Sequence, residues 1–311
     1  MIAVLPEHIR PMLQDRLPDW IEPIWWSDPD NLVEMAPQAE IGWFDLHLKP
    51  PALRSVQLAR DLRWLNTSYS GVDWLPLADL EARDVLLTCG SNLTATQVSE
   101  FAVMSILAFA KDYAALVRAQ DAHEWLSVPP GIRDLAGSRA LILGYGAIGR
   151  AIARALEGFG VEVSVVRSKA GDGAMGPDEW QDQLDSFDWV VLALPGTADT
   201  AGLLGAKEFA AMKRDAVLVN FARADIVDQR ALIEALRERR VGGAIVDTVD
   251  PEPLPEDHPF WSLENAHVTM HLSGIPTPAS QQRAADRFLR NCEHFRVGEK
   301  LEAQVDLQRG Y

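Results

Sequence analysis

The sequence predicts an α/β protein of two doubly wound domains, each built on a parallel sheet. Short apolar runs alternate with segments of helical spacing along nearly the whole chain, and such alternation builds parallel sheets covered on both faces. A glycine-rich turn, RALILGYGAIGRAIARAL (139 to 156), joins one of these runs to a helix. The length, 311 residues, suffices for two proper cores.

In the first part of the chain IAVL (2 to 5), IEPIWW (21 to 26), AEIGWF (39 to 44), LRWLNTS (62 to 68) and DVLLTC (84 to 89) read as strands. Between them, segments such as EHIRPMLQDRL and PALRSVQLARDL space apolar residues as helices do. A long helix is expected over 94 to 120, with Thr94 or Thr96 as N-cap. It is apolar through most of its girth, so it is expected to be buried, but Glu100, Lys111 and Asp112 exclude a membrane span. ALILG, VEVSVV, DWVVLAL, AVLVNF, GGAIVD and HVTM follow as strands of a second domain, with 168 to 180 as a Gly-rich surface connection. The amphipathic TPASQQRAADRFLRNCEHFRVGEKL is expected to return and pack on the first domain. Trp125, just past the long helix, is expected to be a packing residue.

Composition excludes several classes of function. A net charge of -16 repels nucleic acid phosphates and anionic membranes. No apolar stretch approaches the roughly 20 residues of a membrane span, and MIAVLPEHIR reads as a first strand, not a signal peptide. Two cysteines, Cys89 and Cys292, make no metal or disulfide framework, so a cytoplasmic location and no metal are expected.

Gly144, Gly146 and Gly149 form G-x-G-x-x-G between a strand and a helix, the context that gives the motif meaning. The first glycine permits the tight turn, the second lets backbone approach a diphosphate, and the third lets helix and strand pack closely. A free helix N-terminus then holds the anion. The next strand ends VEVSVVRSK, with Arg167 where an acidic ribose partner usually stands and Ser168 and Lys169 behind it. A guanidinium suits a 2′-phosphate, so NADP(H) is expected over NAD(H), with NAD(H) as the other usable form.

An open parallel sheet binds its ligand beyond the carboxyl ends of its strands. The runs AVLVNFAR, GGAIVDTVDPEP and AHVTMHL deliver Arg223, Glu252 and His271 there. An arginine to clamp a carboxylate, an imidazole to donate a proton and a carboxylate to orient it suit hydride transfer to a 2-keto acid. Singly, an arginine at a strand end, a loop glutamate or a lone histidine is more often structural; the three together in this order are not.

NTSYSGVD (66 to 73), QVSEFAVMSILA, LILGYGAIGRAIA, ALPGTADTAGLL, AVLVNFARADIVDQRALIEAL, GAIVDTVDPEPLPEDHPFW and the His271 strand stand in the order of one family. The chain resembles the D-isomer-specific 2-hydroxyacid dehydrogenases, and VDLQRGY and the Arg167 region resemble their glyoxylate/hydroxypyruvate reductase-like members. The resemblance implies two Rossmann-like domains: a flavodoxin-like substrate domain (1 to 95 and 275 to 311) and a dinucleotide-binding domain (96 to 274), with a cleft between. It implies that Arg223 clamps the substrate, His271 is the acid/base and Glu252 pairs with it. The backbone at Ser70 and Gly71 would hold the substrate carboxylate, and Asp247 the nicotinamide carboxamide. Thr96, Ala147, Ile148, Leu194, Pro195, Phe221, Ala222, Ser273 and Gly274 would complete the cofactor site, and a homodimer is expected. Two positions depart from the family pattern. Ala224 stands for a usual glycine, restricting φ there, and Met270 for a usual proline, removing a φ restraint beside His271. Rival readings are a dinucleotide-sensing corepressor-like protein, or a family dehydrogenase for another substrate such as phosphoglycerate or an aromatic keto acid.

Overall fold

The computed structural model describes residues 1–46 and 48–310; Tyr311, the end of the VDLQRGY motif, lies outside them. The chain divides into two compact units: Met1–Thr94 together with the chain from Pro276 onward, and Ala95–Ile275.

In the first unit, β1 (Ile2–Pro6), β2 (Glu22–Trp26), β3 (Ile41–Trp43), β4 (Trp64–Asn66) and β5 (Leu86–Thr88) pair in parallel. Their order, β2-β1-β3-β4-β5, is the flavodoxin-like order. The expected helix over EHIRPMLQDRL shrinks to one turn, α1 (Arg10–Leu13), flanked by 3-10 turns. Pro11 fits only a first helical turn. Helices α2 (Pro29–Met35), α3 (Lys49–Leu58) and α4 (Leu77–Ala82) make the remaining crossovers. Asp28 caps α2 by accepting the Asn31 N–H at 2.9 Å.

The expected single helix over 94 to 120 is two helices, α5 (Ala95–Ala110) and α6 (Tyr113–Asp121). Asp112 breaks it: it adopts φ 45°, ψ 53°, and its side chain accepts from the Ala115 N–H as the cap of α6. A short acidic side chain that competes for backbone donors favours a cap over a helix interior. Nor is α5 buried all round. Val98, Ala102 and Ile106 pack on Ile152, Ala153 and Leu156, while Met104 is exposed.

The second sheet comprises β6 (Arg139–Leu143), β7 (Glu162–Val166), β8 (Trp189–Leu192), β9 (Val217–Asn220), β10 (Gly243–Val246) and β11 (Ala266–Val268). All are parallel, ordered β11-β10-β9-β8-β6-β7. Four of these strands, β6, β8, β9 and β10, are buried on both faces or nearly so, which their unbroken apolar runs demand. The Gly-rich 168 to 180 segment adds one parallel bridge, Val166 to Met175, beyond β7. Helices α7 (Ala147–Gly158), α8 (Ala206–Ala211) and α9 (Gln229–Arg237) cover the faces.

From Pro276 the chain re-enters the first unit as α10 (Pro278–Val297), capped by Thr277 and ended by left-handed Gly298. Phe288, Ala284, Ala285 and Cys292 join a core with Trp43 and Trp64, and the Phe288 ring stacks 4.8 Å from Trp64. Trp26, Trp180 and Trp189 are also core. Trp125 is not: 97% of it is exposed, contrary to the packing role expected of it. Among the described residues no helix is long and apolar enough to cross a membrane.

Candidate active site

The order of the second sheet reverses at β6, between β7 and β8, and such a switch point opens a crevice at the carboxyl ends of the strands. The glycine turn stands there. Gly144 has φ 96°, and a Cβ on it would lie 2.5 Å from the Ala193 carbonyl. A Cβ on Gly149 would meet the Gly144 carbonyl at 2.0 Å, so helix and turn require hydrogen at both positions. Gly146 is the N-cap of α7 with no side-chain cap bond, and a Cβ there would meet nothing within 4 Å. The first turn of α7, at Ala147 and Ile148, therefore opens without a side-chain cap beside open space at Gly146, as a bound diphosphate requires. The residues fit a dinucleotide.

Arg167 follows the end of β7 directly, its N–H donating to the Met175 carbonyl at 2.9 Å. Its guanidinium lies 3.9 Å from the exposed Asp172 carboxylate, a contact that solvent weakens. Ser168 and Lys169 are exposed beside it. Leu194 and Pro195 follow β8, and Thr96 is exposed in the first turn of α5. Phe221 and Ala222 are buried in the core on the two faces of the sheet, so only their backbone is offered to a ligand.

The three chemical side chains all belong to the second unit. His271 Nδ1 lies 2.8 Å from Glu252 Oε2, and Glu252 Oε1 accepts the Val249 N–H at 3.0 Å. A carboxylate can only accept, so Nδ1 carries the proton and Nε2 is turned to the other side of the ring. Buried Asp247 organises the turn around His271. Its carboxylate accepts from Thr269 Oγ1 at 2.5 Å and from Ser273 Oγ, and its carbonyl accepts the His271 N–H at 2.7 Å. Gly274 follows Ser273, half-buried.

Several supports carry no motif. The Asn220 side chain accepts the Ala222 N–H at 3.0 Å and donates to the Arg223 carbonyl at 2.9 Å, fixing the bend that presents Arg223. The Gln229 amide both accepts from Asp250 N–H and donates to its carbonyl, holding the loop that carries Glu252. The Gln97 amide donates to the Ser273 and Ile275 carbonyls at 3.3 and 2.7 Å. A Cβ on Gly196 would lie 2.9 Å from Arg223 Cγ, so only glycine lets that side chain pass. Sequence could have flagged Gly196, since a glycine after a strand end signals close approach; the amides leave no such trace.

The two departures resolve differently. Arg223 is extended (φ -136°, ψ 151°), and Ala224 opens a 3-10 turn without positive φ, so the loss of glycine there restricts nothing the fold uses. Met270 and His271 are both left-handed, φ 56° and 55°. Such residues cost on the order of 1–3 kcal/mol each and persist where surroundings over-determine them, here through the Asp247 bonds. A proline at 270 needs φ near about -65° and cannot occupy this backbone. Met270→Pro is expected to lower kcat about 10²-fold by displacing His271, with cofactor affinity retained; steady-state rates beside cofactor titration check it.

In the first unit, the loop after β4 carries Ser70 and Gly71. Asp45, just past β3, accepts from Thr67 Oγ1 at 2.5 Å, Ser68 N–H at 2.6 Å and Trp43 Nε1 at 2.9 Å. Burial pushes its carboxyl up against the pull of those bonds. Ser70 Oγ donates to the Gly90 carbonyl at 3.1 Å, and Trp74 Nε1 to the Gly71 carbonyl at 3.2 Å. Among the described residues no acceptor meets the backbone N–H of Ser70 or Gly71. Two adjacent unsatisfied donors on a tethered loop are suited to an anion.

A glycine turn that fits a dinucleotide, with an imidazole–carboxylate pair and an arginine on the same sheet, defines a nicotinamide-dependent oxidoreductase. Residues 103–273 match the family described as D-isomer specific 2-hydroxyacid dehydrogenase, NAD binding domain. The chain is 31% identical to glycerate dehydrogenase of Methylorubrum extorquens, over 88% of this chain and 87% of that one. It is also 31% identical to glyoxylate/hydroxypyruvate reductase A of Serratia proteamaculans, over 70% and 69% of the two chains. Among solved structures it is similar to a D-isomer specific 2-hydroxyacid dehydrogenase from Xanthobacter autotrophicus Py2 in complex with NADPH and MES, at 27% identity and TM-score 0.79, covering 99% of both chains. The chain belongs to the D-isomer specific 2-hydroxyacid dehydrogenase family.

Proposed function

We propose that this enzyme uses NADP(H) in preference to NAD(H) to reduce small 2-keto acids of the glyoxylate and hydroxypyruvate type to D-2-hydroxy acids. The observation that carries the reading is the 2.8 Å His271–Glu252 pair on the sheet edge that also bears Arg223. The reduced nicotinamide, when bound, supplies the hydride. Glu252 fixes Nδ1–H and so leaves Nε2 to hold the proton given to the developing alkoxide. Arg223 receives the α-carboxylate with its guanidinium fork and stabilises charge growing on the carbonyl oxygen. In the first unit, the free N–H groups of Ser70 and Gly71 are suited to receive a carboxylate. Gly144, Gly146 and Gly149, with the N–H groups of Ala147 and Ile148, hold the diphosphate, and Asp247 holds the carboxamide. Thr96, Leu194, Pro195, Phe221, Ala222, Ser273 and Gly274 complete the cofactor site.

Arg167, with Ser168 and Lys169, supports the NADP(H) preference, because a guanidinium pairs with a 2′-phosphate and accepts nothing from a ribose hydroxyl. Initial rates with glyoxylate and hydroxypyruvate and each reduced cofactor test the reading. NADPH is expected to give several-fold higher kcat/KM, and Arg167→Asp to turn the preference toward NADH; equal values in the wild type would contradict it.

A homodimer belongs to the same reading. Tyr113, Leu116, Val117, Trp125, Val128 and Ile132 are exposed in one short stretch of the second unit, the apolar surface a second copy would cover. Trp125→Asp is expected to shift sedimentation from dimer toward monomer; a wild-type monomer at micromolar concentration would remove the proposal.

A further inference from the structure

We propose that Asp172 restrains the coenzyme preference of this enzyme by competing with the 2′-phosphate of NADP(H) for Arg167. The proposal rests on the reading of Arg167 as the partner of that phosphate, and it deepens that reading. Both residues belong to the second unit.

Past β7 the chain turns back on itself. The Arg167 N–H donates to the Met175 carbonyl at 2.9 Å, and the Met175 N–H donates to the Val165 carbonyl at 2.9 Å. Further out, the Gly171 N–H donates to the Ala174 carbonyl at 3.1 Å and the Ala174 N–H to the Gly171 carbonyl at 2.9 Å. Ala174 is buried and Met175 packs on the core, so the base of this turn is tied down. Asp172 stands at its tip. Gly171, Asp172 and Gly173 have φ 133°, 52° and 79°, and three successive positive φ values close the turn tightly. The Asp172 carboxylate thereby comes within 3.9 Å of the Arg167 guanidinium, while remaining open to water.

An ion pair so open to water adds little to the stability of the fold. What it changes is the charge that an arriving phosphate meets. A 2′-phosphate paired with Arg167 enters the space that the Asp172 carboxylate already shares. The two anions repel each other, and one guanidinium fork cannot serve both fully. The 2′-hydroxyl of NAD(H) carries no charge, so Asp172 does not oppose it. Arg167 then favours NADP(H) while Asp172 narrows the margin, which leaves the site usable by NAD(H).

The test is calorimetric titration of the full chain with adenosine 2′,5′-bisphosphate and with 5′-AMP, two probes that differ in the 2′-phosphate alone. Wild type, Asp172→Asn and Arg167→Gln are compared. Asparagine accepts left-handed backbone as readily as aspartate, so Asp172→Asn keeps the turn and removes the charge. Asp172→Asn is expected to bind the bisphosphate about three- to fivefold more tightly than wild type does, with affinity for 5′-AMP unchanged. That gain is expected to shrink in about 1 M salt, where charges are screened over a few ångströms. No gain, or an equal gain for both probes, overturns the proposal. The reading of Arg167 still stands in that case if Arg167→Gln loses the advantage of the bisphosphate over 5′-AMP. Equal binding of the two probes by the wild type, unchanged in Arg167→Gln, overturns both.

Discussion

Replacing His271 with alanine is expected to lower kcat for 2-keto acid reduction by roughly 10²–10⁴-fold, the contribution of a positioned general acid. Reduction puts negative charge on the carbonyl oxygen, and a proton must reach it as that charge forms. In the proposed role, the Nδ1 contact to Glu252 at 2.8 Å leaves Nε2 as the ring nitrogen to deliver that proton. Without the imidazole, water must serve. Cofactor affinity should change little, because the glycine turn and the open N-terminus of α7 are untouched by the substitution. Single-turnover rates together with cofactor titration separate the two effects. A near-normal kcat in His271→Ala would show that the acid is another group.

Arg223→Ala is expected to damage both constants, with kcat down roughly 10²–10³-fold by analogy with loss of an oxyanion donor and KM raised as well. A guanidinium that binds the substrate carboxylate in the ground state and feels the growing oxyanion in the transition state contributes to each. Arg223→Lys keeps the charge and loses the planar fork, so it should recover only part of the loss. Steady-state constants for glyoxylate report this split. If Arg223→Ala raised KM alone, the residue would bind substrate without acting on the reaction.

Among the described residues, each of the eleven strands overlaps a run legible in the sequence, because a strand buried on both faces leaves an unbroken apolar stretch and a half-covered one leaves alternation. The glycine turn was legible for a similar reason: its backbone approaches demand hydrogen at Gly144 and Gly149. What stayed hidden depends on backbone states and neighbours distant in sequence. The break at Asp112 is invisible in an apolar 94 to 120 run until its left-handed backbone and its bond to Ala115 are seen. The Met270–His271 conformation follows from Asp247, a residue more than twenty positions earlier whose carbonyl and carboxylate hold the turn. Asn220, Gln229 and Gln97 act through side-chain bonds to backbone, which no spacing encodes. A packing role is expected of Trp125 because tryptophan usually packs; its exposure depends on the course of the segment past α6, which no spacing encodes.

The central claim is that Arg223, Glu252 and His271 work as one reducing site. The most direct measurement mixes the wild-type enzyme, NADPH and hydroxypyruvate, follows cofactor oxidation and resolves the product by chiral chromatography. NADPH loss matched mole for mole by D-glycerate, and abolished in His271→Ala, is the predicted result. Formation of the L-acid, or cofactor binding that drives association with a partner while no hydroxy acid forms, would contradict it.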